Sequence, residues 1–546
     1  MKRLLLIAAL AACKTLPAPA AEQPAKPVAE TPTPPPETTP VKSEVEPIRN
    51  VQTATPQDLT FPDEEFRVKQ PVPGALRPFR LPAVKPFKLK NGILVYLVEQ
   101  HALPLVSIDL NFDGGGVADP KGKEGLSGVC MGMLTEGTER LDKIQYAEAL
   151  ADVASSISTY AGDDSQGISL GSLTKHLDTT FSLFVETLQT PGFRASDFDR
   201  MIKRRIESVK QSKGNAGSVA GRVTGPVLYG IEHPYGTVVT EESLKAITLD
   251  DCKAYTTQWL KPGNARLFVV GDLTEQQIRA LFEGGALAGW KGKATKAPVL
   301  PAPKGPKGRI FFVHVPNAAQ SQVSMMHFGP KRTAPDYFAN SMMASVFGGG
   351  FSSRINMNLR EDKGYSYGAR GGFGYSKEYG TFNASASVRT DSTYQTLLEI
   401  DREVKRLVKN EKPIEKDELE REKQGAILGL PGRFSTAQAA LGQYRGLVYF
   451  GLPLDYYNTY VDKVGKVTEA QVKASAAKQL KPGQAIYLVV GDGNAPVIVR
   501  QDGKDVPYAK DGKALTLREA LADLATRGDV GQGGLVELDT DGKPLR

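Results

Sequence analysis

The feature that most constrains the fold of this chain is an internal repeat that links its two halves. Residues 247–272 align without gaps with residues 467–492, at a constant offset of 220 residues. In each copy a helical pattern ends at Leu-Lys-Pro-Gly, and an apolar run that ends in Gly-Asp follows it. Pro-Gly is typical of a helix end, and the apolar run is typical of a buried strand. A period this long does not suit a solenoid, so the repeat predicts two homologous domains.

The repeat sets the predicted domain boundaries at residues 76–292 and 305–498. Each of these halves mixes strand patterns with helical patterns, for example a strand over residues 106–112 and a helix over 197–211. We therefore expect an α+β fold of two homologous α/β sandwich domains rather than a doubly wound parallel sheet. Residues 499–546 form a predicted C-terminal extension to which the sequence attaches no role.

Composition limits the classes of partner and site. The net charge of +7 over 546 residues is moderate, and the basic residues are interspersed with acidic ones, so no nucleic-acid partner is expected. The three cysteines, Cys13, Cys130 and Cys252, have spacings that indicate neither a metal knuckle nor a disulfide framework. We expect Cys130 to be a small buried residue rather than a nucleophile.

The N-terminus carries the signal for cellular location. Lys2 and Arg3 precede an apolar run over residues 4–12, which is far shorter than the roughly 20 residues that span a bilayer. Residues 1–13 thus read as a signal peptide, and the sequence before Cys13 resembles the processing box of bacterial lipoproteins. The alternative is an ordinary signal peptide with a chance cysteine.

The composition of residues 14–75 is rich in proline, which predicts a disordered linker. Together these segments predict a lipoprotein of the bacterial cell envelope that faces the periplasm. Its contact with a membrane would be through the lipid on Cys13 only. Lys14 is compatible with sorting to the outer membrane, as in the lipoproteins that the leader resembles.

Several short motifs across residues 76–498 resemble the pitrilysin/insulinase metallopeptidases, also called inverzincins. They lie at residues 91–95, 112–120, 125–126, 136–138 and 233–236 in the first half, and at residues 347–350, 359–361 and 364–367 in the second. The resemblance implies two sandwich domains of the type that this family uses.

The zinc motif of the family is missing from this sequence. Active members place His-x-x-Glu-His on a helix between the Gly-Leu and Gly-Thr motifs, so that two imidazoles bind zinc while the Glu acts on the attacking water. Here Gly128 and Gly132 occupy the ligand positions, and Met131 occupies the position of the base. Glycine offers no donor atom, and a thioether has no ionisable proton. The third ligand falls at Glu207 or Ser208, depending on the register, so no zinc is expected in this chain.

The two glycines would lie on one face of the predicted helix. One interpretation is a partly frayed helix in a decayed site; the other is a bare face that lets a substrate or partner backbone approach closely. No two of the five histidines lie within four residues, which leaves no local metal motif. Ser169 belongs to a Gly-x-Ser-x-Gly sequence, but the surrounding alternation predicts a strand rather than a nucleophile elbow.

A second family motif is present in full. Leu359, Arg360, Gly364 and Tyr367 match the pattern Leu-Arg-x-x-x-Gly-x-x-Tyr, in which the resemblance implies that Arg and Tyr hydrogen-bond the scissile carbonyl. From the residues alone, Arg360 would equally suit a surface ion pair, and Tyr367 a half-buried aromatic side chain of a strand. The resemblance also implies a substrate-binding turn, which is either functional or only a loop: Gly348, Gly349 and Gly350.

These observations predict a subunit that is inactive alone. The leading hypothesis is a peptidase heterodimer of the envelope, in which a zinc-bearing homologue binds the metal and this chain contributes Arg360 and Tyr367 to peptide hydrolysis. One alternative is a non-catalytic scaffold or peptide-binding homologue. Another is an independently active metallopeptidase with unrecognised ligands.

Overall fold

The structure, a computed structural model, describes residues 84–305, 307–501 and 503–545. The predicted signal peptide, the predicted lipidation site Cys13 and the predicted linker lie outside these residues. Within them, no helix combines the length and apolar character needed to cross a membrane.

The first half is built on one six-stranded sheet. Its strands are β1 (Lys85–Lys88), β2 (Leu94–Glu99), β3 (Leu105–Asp113), β4 (Ser156–Ala161), β5 (Ser165–Leu173) and β6 (Ala265–Gly271), in the order β1-β2-β6-β3-β5-β4. Its helices are α1 (Leu126–Met133), α2 (Lys143–Ala151), α3 (Leu177–Gln189), α4 (Ala195–Ser212), α5 (Ala216–Tyr229), α6 (Glu241–Lys245), α7 (Leu249–Trp259) and α8 (Glu275–Glu283). Ser169 lies inside β5, as the alternation predicted.

The second half repeats this plan. Its strands are β7 (Ile310–His314), β8 (Gln320–Gly329), β9 (Ser366–Tyr375), β10 (Gly380–Arg389) and β11 (Ile486–Gly491), followed by β12 (Ile498–Gln501), β13 (Lys504–Pro507), β14 (Ala509–Lys510), β15 (Lys513–Ala514) and β16 (Leu535–Leu538). Its helices are α9 (Tyr337–Gly348), α10 (Arg354–Asn356), α11 (Thr393–Lys409), α12 (Lys416–Leu428), α13 (Ala437–Tyr449), α14 (Tyr460–Gly465), α15 (Glu469–Gln479) and α16 (Leu517–Arg527). The sheet order is β16-β7-β11-β8-β10-β9.

The internal repeat corresponds to equivalent elements in the two sheets. Helix α7 leads into β6 and α15 leads into β11, and each helix begins with a threonine capping box, at Thr248 and at Thr468. Strand β6 lies parallel to β2 and antiparallel to β3, and β11 has the same relation to β7 and β8. The predicted α+β fold with two repeated halves is confirmed.

The C-terminal extension is part of the second half. The side chains of Leu517, Leu521 and Leu524 on α16 are fully buried in the second-half core. Strand β16 adds to the sheet beside β7, at the position that β1 occupies in the first sheet. The extension therefore completes a sheet, a role that the sequence did not reveal.

The expectation that the cysteines form no disulfide is wrong. Cys130 on α1 and Cys252 on α7 are bonded, with their Cα atoms 4.7 Å apart, and both side chains are fully buried. The two residues are 122 positions apart in sequence, so only the packing of α1 against α7 brings them together. The bond fixes α1 to α7.

An ion pair between a buried carboxylate and a partly exposed arginine joins the two halves. Asp109 on β3 is completely buried, and one carboxylate oxygen lies 2.8 Å from Nη1 of Arg445 on α13. The hydroxyls of Tyr160 and Ser169 also donate to this carboxylate, at 3.0 and 3.1 Å. Burial raises the pKa of Asp109, and the Arg445 guanidinium opposes that rise. The first half therefore depends on the second half to neutralise a charge in its own core.

We predict that Arg445→Ala destabilises the protein by about 3 kcal/mol, because it leaves the Asp109 carboxylate buried without its cation. Urea unfolding measures this loss. Adding Asp109→Asn should recover most of it, because the amide has no charge to bury. Lys210→Ala is the control, since Lys210 pairs with Glu207 at an exposed site and its loss should cost less than about 0.5 kcal/mol. If Arg445→Ala and Lys210→Ala lowered the free energy of unfolding equally, Arg445 would not be the residue that neutralises Asp109.

We also predict that reduction of the Cys130–Cys252 bond lowers the free energy of unfolding by about 3 to 5 kcal/mol, because the bond closes a long loop in the unfolded chain. The measurement is urea unfolding with and without a thiol reductant. The double variant Cys130→Ala/Cys252→Ala should be less stable and insensitive to the reductant. An unfolding midpoint of the unmodified protein that does not move on reduction would show that the bond is not present.

Candidate functional site

Helix α1, where the zinc motif would lie, is well formed despite its two glycines. The carboxylate of Asp119 accepts hydrogen bonds from the backbone N–H groups of Gly125 and Ser127, at 2.9 and 2.8 Å, and so caps the start of the helix. Burial raises the pKa of Asp119 to about 6. Val129 and Cys130 of α1 are buried in a hydrophobic cluster together with side chains of α4 and α7. Thus α1 is not a frayed remnant.

Met131, at the position of the catalytic base, faces the interior. Its side chain is 1% exposed and belongs to the first-half core, and the hydroxyl of Thr159 on β4 donates to its carbonyl at 2.7 Å. The side chain therefore contributes to packing. It has no proton-transfer chemistry to offer.

The bare face of α1 is covered by an arginine. Nη2 of Arg205, on the long helix α4, donates to the carbonyl of Gly128 at 2.7 Å. A Cβ atom added at Gly132 would lie 3.1 Å from Nη2 of Arg205 and 3.3 Å from the Met201 methyl group. A Cβ atom at Gly128 would lie 3.5 Å from Nη1 of Arg205. Each missing side chain is thus replaced by side chains of α4.

The charge of Arg205 is retained at this position. Burial and the neighbouring Arg204 lower the pKa of Arg205, but a guanidinium stays protonated in proteins. Sequence reasoning missed this residue. Its signal is the spacing of Met201, Arg205 and Val209, which lie four residues apart, with Met201 and Val209 buried in the cluster around α1.

The two candidates for the position of the third ligand, Glu207 and Ser208, both lie at the surface. The Glu207 side chain is half-exposed and pairs with Lys210 on its own helix at 2.7 Å, and Ser208 is exposed. Two glycines, a thioether and an arginine do not fit a zinc ion, which takes imidazole, thiolate and carboxylate ligands. Elsewhere in the described part of the chain, no group of three or more His, Cys, Asp or Glu side chains could hold a metal.

Arg360 and Tyr367 lie together in the second half. The short helix α10 continues into a π-helical segment, Met357–Asp362, and Gly364, with φ of +64°, ends it before β9. Nη1 of Arg360 donates to the carbonyl of Tyr367 at 3.0 Å, which fixes the guanidinium beside the start of β9. The guanidinium also lies 4.9 Å from the ring centre of Phe351.

Both side chains of the pair are open to solvent. The Tyr367 side chain is 87% exposed, so the interpretation as a half-buried aromatic is wrong. Nε of Arg360 does form a surface ion pair, with Glu361 at 3.1 Å, but its side chain is still 42% exposed. Tyr367 is the second residue of the edge strand β9.

The glycine turn before α10 has a packing explanation. A Cβ atom at Gly348 would lie 2.1 Å from the backbone nitrogen of Gly371, so glycine permits the close approach of α9 to β9. A Cβ atom at Gly349 would lie 2.7 Å from the Cα atom of Ser345, whereas one at Gly350 would meet no atom. The predicted contact of this turn with substrate stays a prediction.

Comparison with known proteins gives the family. The family model described as insulinase (peptidase family M16) matches residues 94–220, and the one described as the peptidase M16 inactive domain matches residues 246–426. A protein named non-peptidase homolog YmxG, from Helicobacter pylori, is 24% identical over 384 residues, which cover 68% of this chain and 86% of that protein. The zinc protease PqqE from the same organism is 22% identical over 292 residues, which cover 52% of this chain and 65% of that protein.

Solved structures agree with this assignment. A crystal structure of a peptidase M16 inactive domain from Pseudomonas fluorescens is 26% identical, with a TM-score of 0.68, and the match covers 75% of this chain and 98% of that one. A protease from Helicobacter pylori, 18% identical, shares the fold with a TM-score of 0.69 over 76% of this chain and 100% of that one. With its two sandwich domains and the two family models over more than half of its length, the chain belongs to the M16 family of pitrilysin/insulinase peptidases.

Proposed function

We propose that this chain is the metal-free subunit of a peptidase heterodimer and that it contributes Arg360 and Tyr367 to a site whose zinc a homologous subunit holds. The observation that carries the proposal is an asymmetry within the chain. The residues at the zinc-motif positions of α1 do not fit a metal, while the pair that would act on the substrate is present, adjacent and exposed.

The chemistry of the pair suits the scissile carbonyl of a peptide. Attack on that carbonyl places negative charge on its oxygen, and a fixed hydrogen-bond donor at that oxygen is worth about 3 to 4 kcal/mol in comparable sites. The hydroxyl of Tyr367 has no hydrogen-bond partner among the described residues, and Arg360 carries a permanent charge. In the heterodimer the partner's zinc would activate the attacking water, and this chain would hold the carbonyl oxygen.

The surface around the pair is suited to a contact. Phe351, Met357 and Tyr367 are 57%, 38% and 87% exposed, although each has a large apolar side chain. Exposed apolar groups beside a cation are typical of surfaces that bind a protein or a peptide. Such a surface can meet a partner subunit, a peptide, or both.

The relatives support a non-peptidase subunit. This chain is similar both to a protein named as a non-peptidase homologue and to a zinc protease of the same organism. Proteins of both kinds within one family are what a pair of complementary subunits requires. A non-catalytic scaffold would have the same fold as a catalytic subunit, so only an activity measurement distinguishes the two.

The disulfide supports a location outside the cytoplasm. Disulfides persist in oxidising compartments such as the bacterial periplasm and are rare in the cytosol. Together with the leader over residues 1–13, the Cys130–Cys252 bond supports a lipoprotein of the cell envelope that faces the periplasm, with the outer membrane as the proposed site.

The test is co-expression of this chain with a zinc-bearing M16 homologue from the same genome, followed by peptide hydrolysis assays. We expect cleavage by the mixture only. Arg360→Ala and Tyr367→Phe should each lower kcat by about 100-fold or more, because each removes a donor to the developing oxyanion. The values of KM should change much less.

Arg140→Ala is the matched control, since Arg140 forms an exposed ion pair with Glu186 in the first half and should not affect catalysis. Size-exclusion chromatography of each mixture shows whether the subunits still associate. Full activity of both second-half variants in an intact heterodimer would reject the catalytic role and favour a scaffold. Cleavage by this chain alone would reject the metal-free subunit.

A further inference from the structure

The residues at the zinc-motif positions do not fit a metal, and the structure indicates what fills the space instead. The guanidinium of Arg205 lies over both glycines of α1, at the ligand positions of the lost motif. Its charge is permanent, its Nη2 is anchored on the Gly128 carbonyl, and the Met201 side chain packs beside it.

We propose that Arg205 takes the place of the metal in this chain, as a fixed cation that links α4 to α1 and excludes zinc from the site. The inference concerns the first half alone and does not depend on Arg360, Tyr367 or a partner subunit. Two features would then prevent zinc binding: the ligands are missing, and the arginine occupies their place.

The first argument is steric. A Cβ atom at Gly132 would stand 3.1 Å from the guanidinium, closer than ordinary van der Waals contact, so any side chain at this position requires Arg205 to shift from its present place. The guanidinium in its present place therefore favours glycine at position 132, while at position 128 it would be in ordinary contact with a Cβ atom.

The second argument is electrostatic. A divalent cation among side chains at positions 128 and 132 would lie within a few ångströms of the guanidinium, in a region partly shielded from water. Repulsion between such charges is strong where the effective dielectric constant is low. Restoring the two histidines would thus not restore metal binding while Arg205 remains.

The test compares zinc binding by two designed variants of the full chain. One carries Gly128→His and Gly132→His, and the other adds Arg205→Glu, which replaces the cation by a carboxylate from the same position of α4. We expect stoichiometric zinc in the variant with Arg205→Glu. Zinc binding by the variant that keeps Arg205 should be weaker by at least about 100-fold, because that variant lacks the carboxylate and retains the repelling charge. A competing chromophoric chelator measures the affinity without any peptidase assay.

Glu207→Ala in the second variant is the control, since Glu207 faces solvent and its loss should leave zinc affinity unchanged. Equal zinc binding with and without Arg205, or no zinc in a folded Arg205→Glu variant, would overturn the proposal. Circular dichroism establishes folding in each case.

A second measurement covers the case in which the histidine variants do not fold. Gly132→Ala should lower Tm in the unmodified chain, because the new Cβ presses on the guanidinium. In an Arg205→Ala background the same change should raise Tm, because the flexible end of Met201 can shift into the space that the guanidinium leaves, and Ala is a better helix former than Gly. The same shift in both backgrounds would show that Arg205 does not occupy the bare face, and the proposal would fail.

Discussion

The contact between α4 and the bare face of α1 is the constraint on which the first half depends. In active relatives, as the family resemblance implies, two imidazoles and a carboxylate bind one zinc ion and thereby connect these helices. In this chain the Arg205 hydrogen bond to the Gly128 carbonyl and the Cys130–Cys252 bond hold α1 in place. The helix therefore keeps its position without a metal, although the residues at its zinc-motif positions cannot bind one.

In the second half, the Arg360 and Tyr367 side chains are exposed, although the Arg360 guanidinium is held in place by a hydrogen bond. Arg360 is held to the start of β9 by its hydrogen bond to the Tyr367 backbone, but the functional ends of both side chains face solvent. We propose that these two donors act on a carbonyl group that another molecule brings to this surface. The two halves also depend on each other physically, because Arg445 of the second half neutralises Asp109 in the core of the first. An ion pair thus links the cores of the two halves, and we propose that the exposed pair of the second half forms only part of a hydrolytic site.

The sequence predicted the two homologous domains and the adjacent Arg360 and Tyr367, because a gapless repeat and a short motif determine them. The offset of 220 residues reappears as equivalent helix-to-strand connections in both sheets. The family motif also placed Arg360 and Tyr367 next to each other.

What the sequence missed depends on contacts between distant segments. The disulfide joins positions 122 residues apart, and β16 reaches the sheet from the far end of the chain. Arg205 was missed because the packing of α4 against α1 decides which of its side chains face the glycines, whereas the family motif pointed to Glu207 or Ser208. The spacing of Met201, Arg205 and Val209 marks one face of α4, but the sequence does not say which helix that face packs against.

The central claim is that this chain alone does not hold a catalytic metal. The most direct measurement is the zinc content of the purified full-length chain after equilibration with zinc and dialysis, together with its peptide hydrolysis with and without a chelator. We predict far less than stoichiometric zinc and no chelator-sensitive cleavage. Stoichiometric zinc in a protein that cuts peptides until the chelator is added would contradict this account.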